Sequence, residues 1–192
     1  MVMVLFLATW MFADSTNRYA GGAADDASFG TVAWTNPTNA VGITNQTYAT
    51  ATGLDNTSSH YLYVTNYGFA IPTNATINGV VVSPTRKCSN AGNASRDTNV
   101  FLVVNSVIGT VNRATTTQYT TSDVTEDHGS PTDTWGVVLT PAIVNSPRFG
   151  AAFASYKIAA GGAINITVDA IKITVYYTLP STRRKTIGQF IQ

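Results

Sequence analysis

Apolar residues along the chain recur at a spacing of two, in short runs bounded by turn residues. In residues 66–71, Tyr67, Phe69 and Ile71 alternate with Gly68 and Ala70, the period of a strand with one face on a core. Pro72 lacks an N–H and ends that ladder. Thr73-Asn74 supplies a turn, and a β-branched run resumes from Ile77 to Val82 until Pro84 closes it. The unbroken triplet Val80, Val81, Val82 fits burial on both faces or an irregular edge, and periodicity leaves both open. The expected sheet partner of residues 66–87 is the segment 149–178. Within it, Ile164, Ile166 and Val168 fall on even numbers, whereas Ile171, Ile173, Val175 and Tyr177 fall on odd ones. A strand changes face only by inserting a residue, so a bulge is predicted at Asp169-Ala170.

The rest of the chain repeats this grammar. Short strands are predicted at residues 31–34 (stopped by Asn36-Pro37), 48–52 (closed by Gly53), 60–64, 99–104, 107–111, 135–139 and 149–158. Residues 13–30, 89–97 and 112–133 read as loops, 55–59 as a turn, and Asn105-Ser106 as the turn between two strands. One helical turn is expected at 141–146, with Thr140 as N-cap and Pro141 in the first helical position. About eight to ten short strands and almost no amphipathic helix predict an all-β fold, a jelly-roll-like β-sandwich. It spans residues 31–178, between an N-terminal arm and loop (1–30) and a basic amphipathic C-terminal tail (179–192). Phe69, Ile71, Ile77, Val80, Val82, Trp135, Phe149, Ile171, Ile173 and Val175 are the expected core.

Composition narrows the function classes. The 192 residues suit one domain with tails, long enough to bury a core. Charged residues are 11% of the chain, about half the usual share. Threonine, asparagine, serine and small residues must then cover the surface, a composition common in secreted, cell-surface and viral β-proteins. A net charge of +1 gives no long-range field toward nucleic acid or an anionic membrane, and neither is an expected partner. Cys88 is the sole cysteine, so neither an intrachain disulfide nor a cysteine-based zinc site can form. Residues 1–12, MVMVLFLATWMF, are apolar, too short to span a bilayer as a helix, and lack the charged start of a signal peptide. They read as an N-terminal strand of the same core or as an arm docking on a neighbouring subunit, with a cleavable signal as the third reading.

Candidate chemistry is sparse. Asp123, Glu126, Asp127 and Asp133 share one loop near His128, hard oxygen ligands of the kind calcium takes. Their spacing matches no EF-hand, and a solvated acidic loop is the preferred reading; Asp25-Asp26 is weaker still. Glu126 is the only glutamate, so a glycosidase pair would need aspartates from separate loops. His60 or His128 would have to anchor a Ser-His-Asp site without any nucleophile-elbow motif. Cys88 follows Arg86-Lys87 but has no local signature of a nucleophile and reads as a strand-end cysteine. No catalytic, cofactor-binding or metal residue is therefore assigned, no cofactor is expected, and the chain is expected not to be an enzyme. Trp34, Trp135 and tyrosines 61, 63, 67, 119, 156, 176 and 177 offer enough rings to stack on a sugar, although most occupy alternating positions where core packing is the default.

Five stretches carry a family resemblance: WTNPTNA (34–40), YATA (48–51), NYGFAIPTNATINGVVV (66–82), DTWGVVLTPAIVNSPRFGAAF (133–153) and VDAIKITVYYT (168–178). In this order they resemble a β-sandwich domain recurring in structural proteins of tailed bacteriophages (decoration, tail or fibre proteins). The resemblance covers about residues 34–178 and carries no functional residues. It implies a non-enzymatic virion structural protein, a capsid decoration (cement) protein or a tail-associated module, located in the virion. The implied partners are other capsid or tail subunits and further copies of the chain, with a trimer as the expected homo-oligomer. Subunit contacts are expected from Val2, Val4, Leu5, Phe6, Leu7, Trp10 and Phe12 in the arm and from Arg183, Arg184, Ile187 and Phe190 in the tail. The alternative is the same sandwich used as a host-glycan (receptor) binding module of a tail fibre, gripping sugar through loop aromatics.

Overall fold

The computed structural model describes residues 11–91, 95–158 and 161–180. Two antiparallel sheets pack face to face. The first holds β1 (Met11–Tyr19), β3 (Trp34–Thr35), β4 (Ala49–Leu54), β7 (Thr76–Cys88), β10 (Val124–Thr125), β11 (His128–Gly129) and β13 (Ile164–Pro180). The second holds β2 (Gly22–Asp26), β5 (Thr57–Ser58), β6 (Tyr61–Thr65), β8 (Ser95–Val104), β9 (Val107–Ile108) and β12 (Gly150–Lys157). A 3-10 turn at Pro37–Ala40 and one helical turn, α1 (Pro141–Val144), complete the described elements. The all-β sandwich expected from the pattern is the fold.

The long pair β7–β13 is the spine of the first sheet, with Cys88 opposite Ile166 and Thr76 opposite Thr178. On its other side, β13 takes β4 along its first half and β1 along its second. The register of β13 against β7 slips between Val168 and Ala170, so Asp169 is the extra residue and the bulge lies where the change of phase requires it. Ile164, Ile166, Val168, Ile171, Ile173 and Val175 are all buried, on both sides of that slip. Asp169 is itself buried, and its Oδ1 accepts the N–H groups of Asn45 and Gln46 at 3.0 and 3.1 Å, tying the loop before β4 to the bend. All ten expected core residues are buried. Val80 and Val82 join the main core and Val81 is buried outside it, which settles the triplet as buried on both faces.

Several local expectations give way. Pro84 does not end a strand: β7 runs through it to Cys88, and Pro84 sits beside the Asp169 bulge, where proline in a sheet is tolerated. Residues 66–71 alternate in burial as expected but form no ladder. Asn66 has a φ of 59°, and the Asn145 side chain bonds both backbone groups of Ile71, at 2.9 Å from its N–H and 2.8 Å to its carbonyl. Residues 135–139 are not a strand either, because Trp135 and Gly136 have φ of 58° and 70° and turn the chain. That turn buries the Trp135 ring, whose indole donates to the Val80 carbonyl at 2.9 Å. Residues 13–30 are not a loop: β1 pairs with β13 and β2 with β6, one strand in each sheet. Strands also start inside the predicted turn 55–59 and loop 89–97, as β5 and β8, and β9 stops at Ile108. The helical turn forms as expected, with Thr140 Oγ1 accepting the Ile143 N–H at 3.3 Å.

Candidate functional site

Two features stand apart from ordinary sandwich packing. One is a polar cluster between the sheets at the Cys88 end of β7. Arg86 points inward from the first sheet and meets Asp97 of β8 in the second through two parallel bonds of 2.8 Å, Nε to Oδ1 and Nη2 to Oδ2. Its Nη2 also donates to Glu126, whose other oxygen accepts the Thr115 hydroxyl at 2.6 Å. Tyr119 lies under the guanidinium with its centroid 4.5 Å from Cζ, and its hydroxyl donates to Asp97 Oδ1 at 2.5 Å while lying 2.7 Å from Ser155 Oγ. His128 of β11 donates from Nδ1 to the Arg113 carbonyl at 2.9 Å. Its Nε2 is buried, 3.2 Å from Asp97 Oδ2 but off the line of a hydrogen bond.

Burial raises the Asp97 carboxyl, but the His128 contact and the Arg86 bonds outweigh it and hold the group below the usual carboxylate range. Glu126 is lowered in the same way: burial opposes ionisation, and the hydroxyls of Thr115 and Thr117 together with Arg86 prevail. Asp97, Glu126 and His128 bring ligand atoms within 4.8 Å of one another, the kind of grouping that can hold a metal ion. The Arg86 guanidinium, bonded to both carboxylates, already supplies the positive charge there. The cluster bolts the two sheets together.

The loop acids singled out in the sequence do not converge. Asp123 accepts from Tyr48 and Lys87, Asp127 from Ser83 at 2.6 Å, and Asp133 from Arg113 at 2.6 and 3.0 Å. Asp123 and Asp127 are exposed, as the solvated-loop reading expects, and each carboxylate also has a partner of its own. Only Glu126 and His128 of that group meet, and they meet on Asp97, which the sequence did not single out. His60 Nδ1 lies 2.9 Å from Asp25 Oδ2, whose Oδ1 accepts the Trp34 N–H at 2.7 Å. Among the described residues no hydroxyl bonds the far nitrogen of His60. Cys88 ends β7, buried, with Sγ 3.4 Å from the Thr120 carbonyl.

The second feature is an apolar cluster separate from the main core, built on the second sheet. Tyr61, Val103, Ala152 and Ala154 are buried, with Phe29, Tyr63, Phe101 and Ile108 packed on them. The alternation explains the side: Leu62, Val64, Leu102 and Phe153 belong to the main core, so their neighbours Tyr61, Tyr63, Phe101, Val103, Ala152 and Ala154 face outward. Ala152 lies between Tyr63 and Phe101 in register, so two rings flank a small residue. Phe29 stacks on Tyr61 at 5.0 Å, Tyr61 meets Phe101 edge-on at 6.1 Å, and Asn99 Nδ2 donates to the Tyr61 hydroxyl at 3.2 Å. Of the candidate stacking aromatics, Trp34, Trp135, Tyr67, Tyr119 and Tyr177 are buried in the main core. Tyr61 and Tyr63 are on this outer face, where Tyr63 is half-buried.

The expected contact residues Val2, Val4, Leu5, Phe6, Leu7, Trp10, Arg183, Arg184, Ile187 and Phe190 lie outside the described residues. Phe12 is in β1, its backbone opposite Leu179. No family model matches the chain, and no curated protein or solved structure matches it.

Proposed function

We propose that the chain is a non-enzymatic structural subunit of a tailed-phage virion, a capsid decoration (cement) protein or a tail-associated module, and that it works by surface contacts. The observation that carries this is the pairing of β1 with β13, which sets Met11 opposite Pro180. The start of β1 and the end of β13, to which the apolar and basic segments are joined, therefore lie side by side at one place on the first sheet. Two segments rooted together act on one neighbour, and linking two contacts in this way strengthens both. The strand path supports a jelly-roll winding as well: the chain changes sheet repeatedly, at β1/β2, β2/β3, β4/β5, β6/β7, β7/β8, β9/β10, β11/β12 and β12/β13. The proposed partners are capsid or tail subunits and further copies of the chain, in a closed homo-oligomer.

The test is incorporation. A variant lacking residues 1–10 keeps β1 intact and is expected to fold, by far-UV circular dichroism, but to fail to join particles that take up the full chain. Uptake equal to the full chain would refute the role of the arm.

A second function is favoured by the outer face of the second sheet, where Phe29, Tyr63 and Phe101 flank alanines and Asn99 offers a polar group. Such a face could bind a host glycan by stacking aromatic rings on the apolar side of a sugar. Phe29→Ala and Tyr63→Ala would then abolish adsorption to host cells without changing incorporation. Unchanged adsorption removes this alternative.

A further inference from the structure

β1 is an edge strand. The bond from the Ala20 N–H to the Ile171 carbonyl fixes which residues face β13, so the backbone groups of residues 13, 15, 17 and 19 point away from the sheet. Among the described residues no strand pairs with that edge. The chain's own side chains cover part of it. Asp14 Oδ1 accepts the Ser15 N–H at 2.7 Å, and Arg18 Nη1 donates to the Asn17 carbonyl at 3.1 Å. Asp14 Oδ2 accepts the Tyr177 hydroxyl at 3.0 Å. β1 is nine residues without proline or glycine, MFADSTNRY, in which Ala13, Asp14, Ser15, Asn17 and Arg18 are exposed, the kind of edge that recruits another strand.

We infer that β1 is a self-pairing edge, to which a second copy of this chain adds its own β1, antiparallel and centred on Thr16. Three two-fold registers near the middle of the strand set outward-pointing residues opposite one another, with the axis at Ser15, Thr16 or Asn17. The Ser15 centre sets Asp14 against Thr16 and Arg18 against Phe12. The Asn17 centre sets Asp14 against Ala20 and Arg18 against Thr16. Only the Thr16 centre sets Asp14 of each copy against Arg18 of the other, twice by symmetry. Both pairs then fall at non-hydrogen-bonded positions, where facing side chains approach most closely. Ser15 and Asn17 of opposite copies exchange N–H to carbonyl bonds, so the groups now covered by Asp14 and Arg18 gain backbone partners. Asp14 Oδ1 and the Arg18 guanidinium are released to each other, while Asp14 Oδ2 keeps the Tyr177 hydroxyl. The first sheet becomes continuous across the axis, and the interface is isologous and closed.

This deepens the assembly proposal and rests on it only for the need of copies to meet. Its readout is mass, not uptake into particles, so the two can fail separately. Sedimentation equilibrium of the full chain is expected to give a dimer that weakens with added salt. Asp14→Arg alone and Arg18→Asp alone should each raise the dissociation constant at least about tenfold, because each sets like charges opposite one another twice. The exchanged double variant D14R/R18D should restore the dimer. A monomer at high micromolar concentration overturns the inference, as does a dimer or trimer indifferent to these charges. Tighter association of D14A/R18A would also overturn it, by showing that the charges guard the edge.

Discussion

Asp97→Asn isolates the bolt between the sheets. Arg86 and Asp97 have side chains 2% and 0% exposed and share two bonds of 2.8 Å, so neither charge has water to fall back on. Every acceptor position of Asp97 faces a donor or a ring nitrogen: Arg86 and Tyr119 at Oδ1, Arg86 and His128 at Oδ2. An amide nitrogen in either position meets a donor head-on, and beyond one amide oxygen and the Val124 carbonyl at 3.5 Å the guanidinium keeps a single ion-pair partner, Glu126, which is 17% exposed and holds it through one oxygen. Breaking a buried pair from one side costs about 3–5 kcal/mol. For a domain of this length each kcal/mol moves the melting temperature by about 2–4 °C, so the variant should melt about 6–20 °C lower. Urea titration followed by tryptophan fluorescence measures this directly, since Trp34 and Trp135 are both buried. A loss below about 1 kcal/mol would refute the assignment of Arg86 and Asp97 as a desolvated pair. The double variant Arg86→Met with Asp97→Leu removes both charges and should be more stable than Asp97→Asn alone. A double variant no better than the single one would show that the cost is not that of a stranded guanidinium.

Three further outcomes follow from the same geometry. Asp97, Glu126 and Asp133 are all held below their usual values, so the stability they contribute is fully present above the unfolded carboxylate range of about 3.9–4.3 and is lost as pH falls through the folded values; denaturant melts should therefore show a steep loss below about pH 4 that is shallower in Asp97→Asn. A methyl at Gly150 would lie 1.9 Å from the Val64 carbonyl, so Gly150→Ala should cost about 3 kcal/mol, whereas Gly22→Ala, meeting nothing nearer than 3.7 Å, should stay within about 0.5 kcal/mol; equal melts would contradict the close approach of β12 to β6. Asn145→Ala removes both bonds to the Ile71 backbone and should cost about 1–3 kcal/mol in a urea melt, with Asn145→Asp retaining only the bond from the Ile71 N–H.

The parts of the fold legible in the sequence are those where burial and backbone pairing agree. In β13 the change of phase at Asp169 is written in the apolar residues themselves, because both halves of the strand bury one face. Where the two part company, the pattern misleads. Tyr67, Phe69 and Ile71 are buried in alternation, yet their backbone is satisfied by Asn145, far away in sequence. β1 shows the converse: Ala13, Asp14, Ser15, Asn17 and Arg18 are exposed, so an edge strand leaves no apolar period to find. The polar bolt was invisible for another reason. Arg86 and Asp97 are ordinary charged residues in the sequence, and only the packing of β7 over β8 buries them together. Arg86 lies beyond the β-branched run, past Pro84, and shares the even-numbered phase of Val80 and Val82 only because β7 continues to Cys88. The outer aromatic face was half legible, since YLYVT in β6 is apolar on both phases, a hint that both sides of the second sheet are covered.

The virion role is tested most directly by cryo-electron microscopy of the intact particle. Density for the sandwich is expected on the capsid shell or the tail, with the paired ends of β1 and β13 directed at a neighbouring subunit. A sandwich at the distal tail with that end free and the Tyr63 face against receptor would contradict the structural role and favour glycan binding. Absence of the chain from purified particles would contradict a virion role altogether.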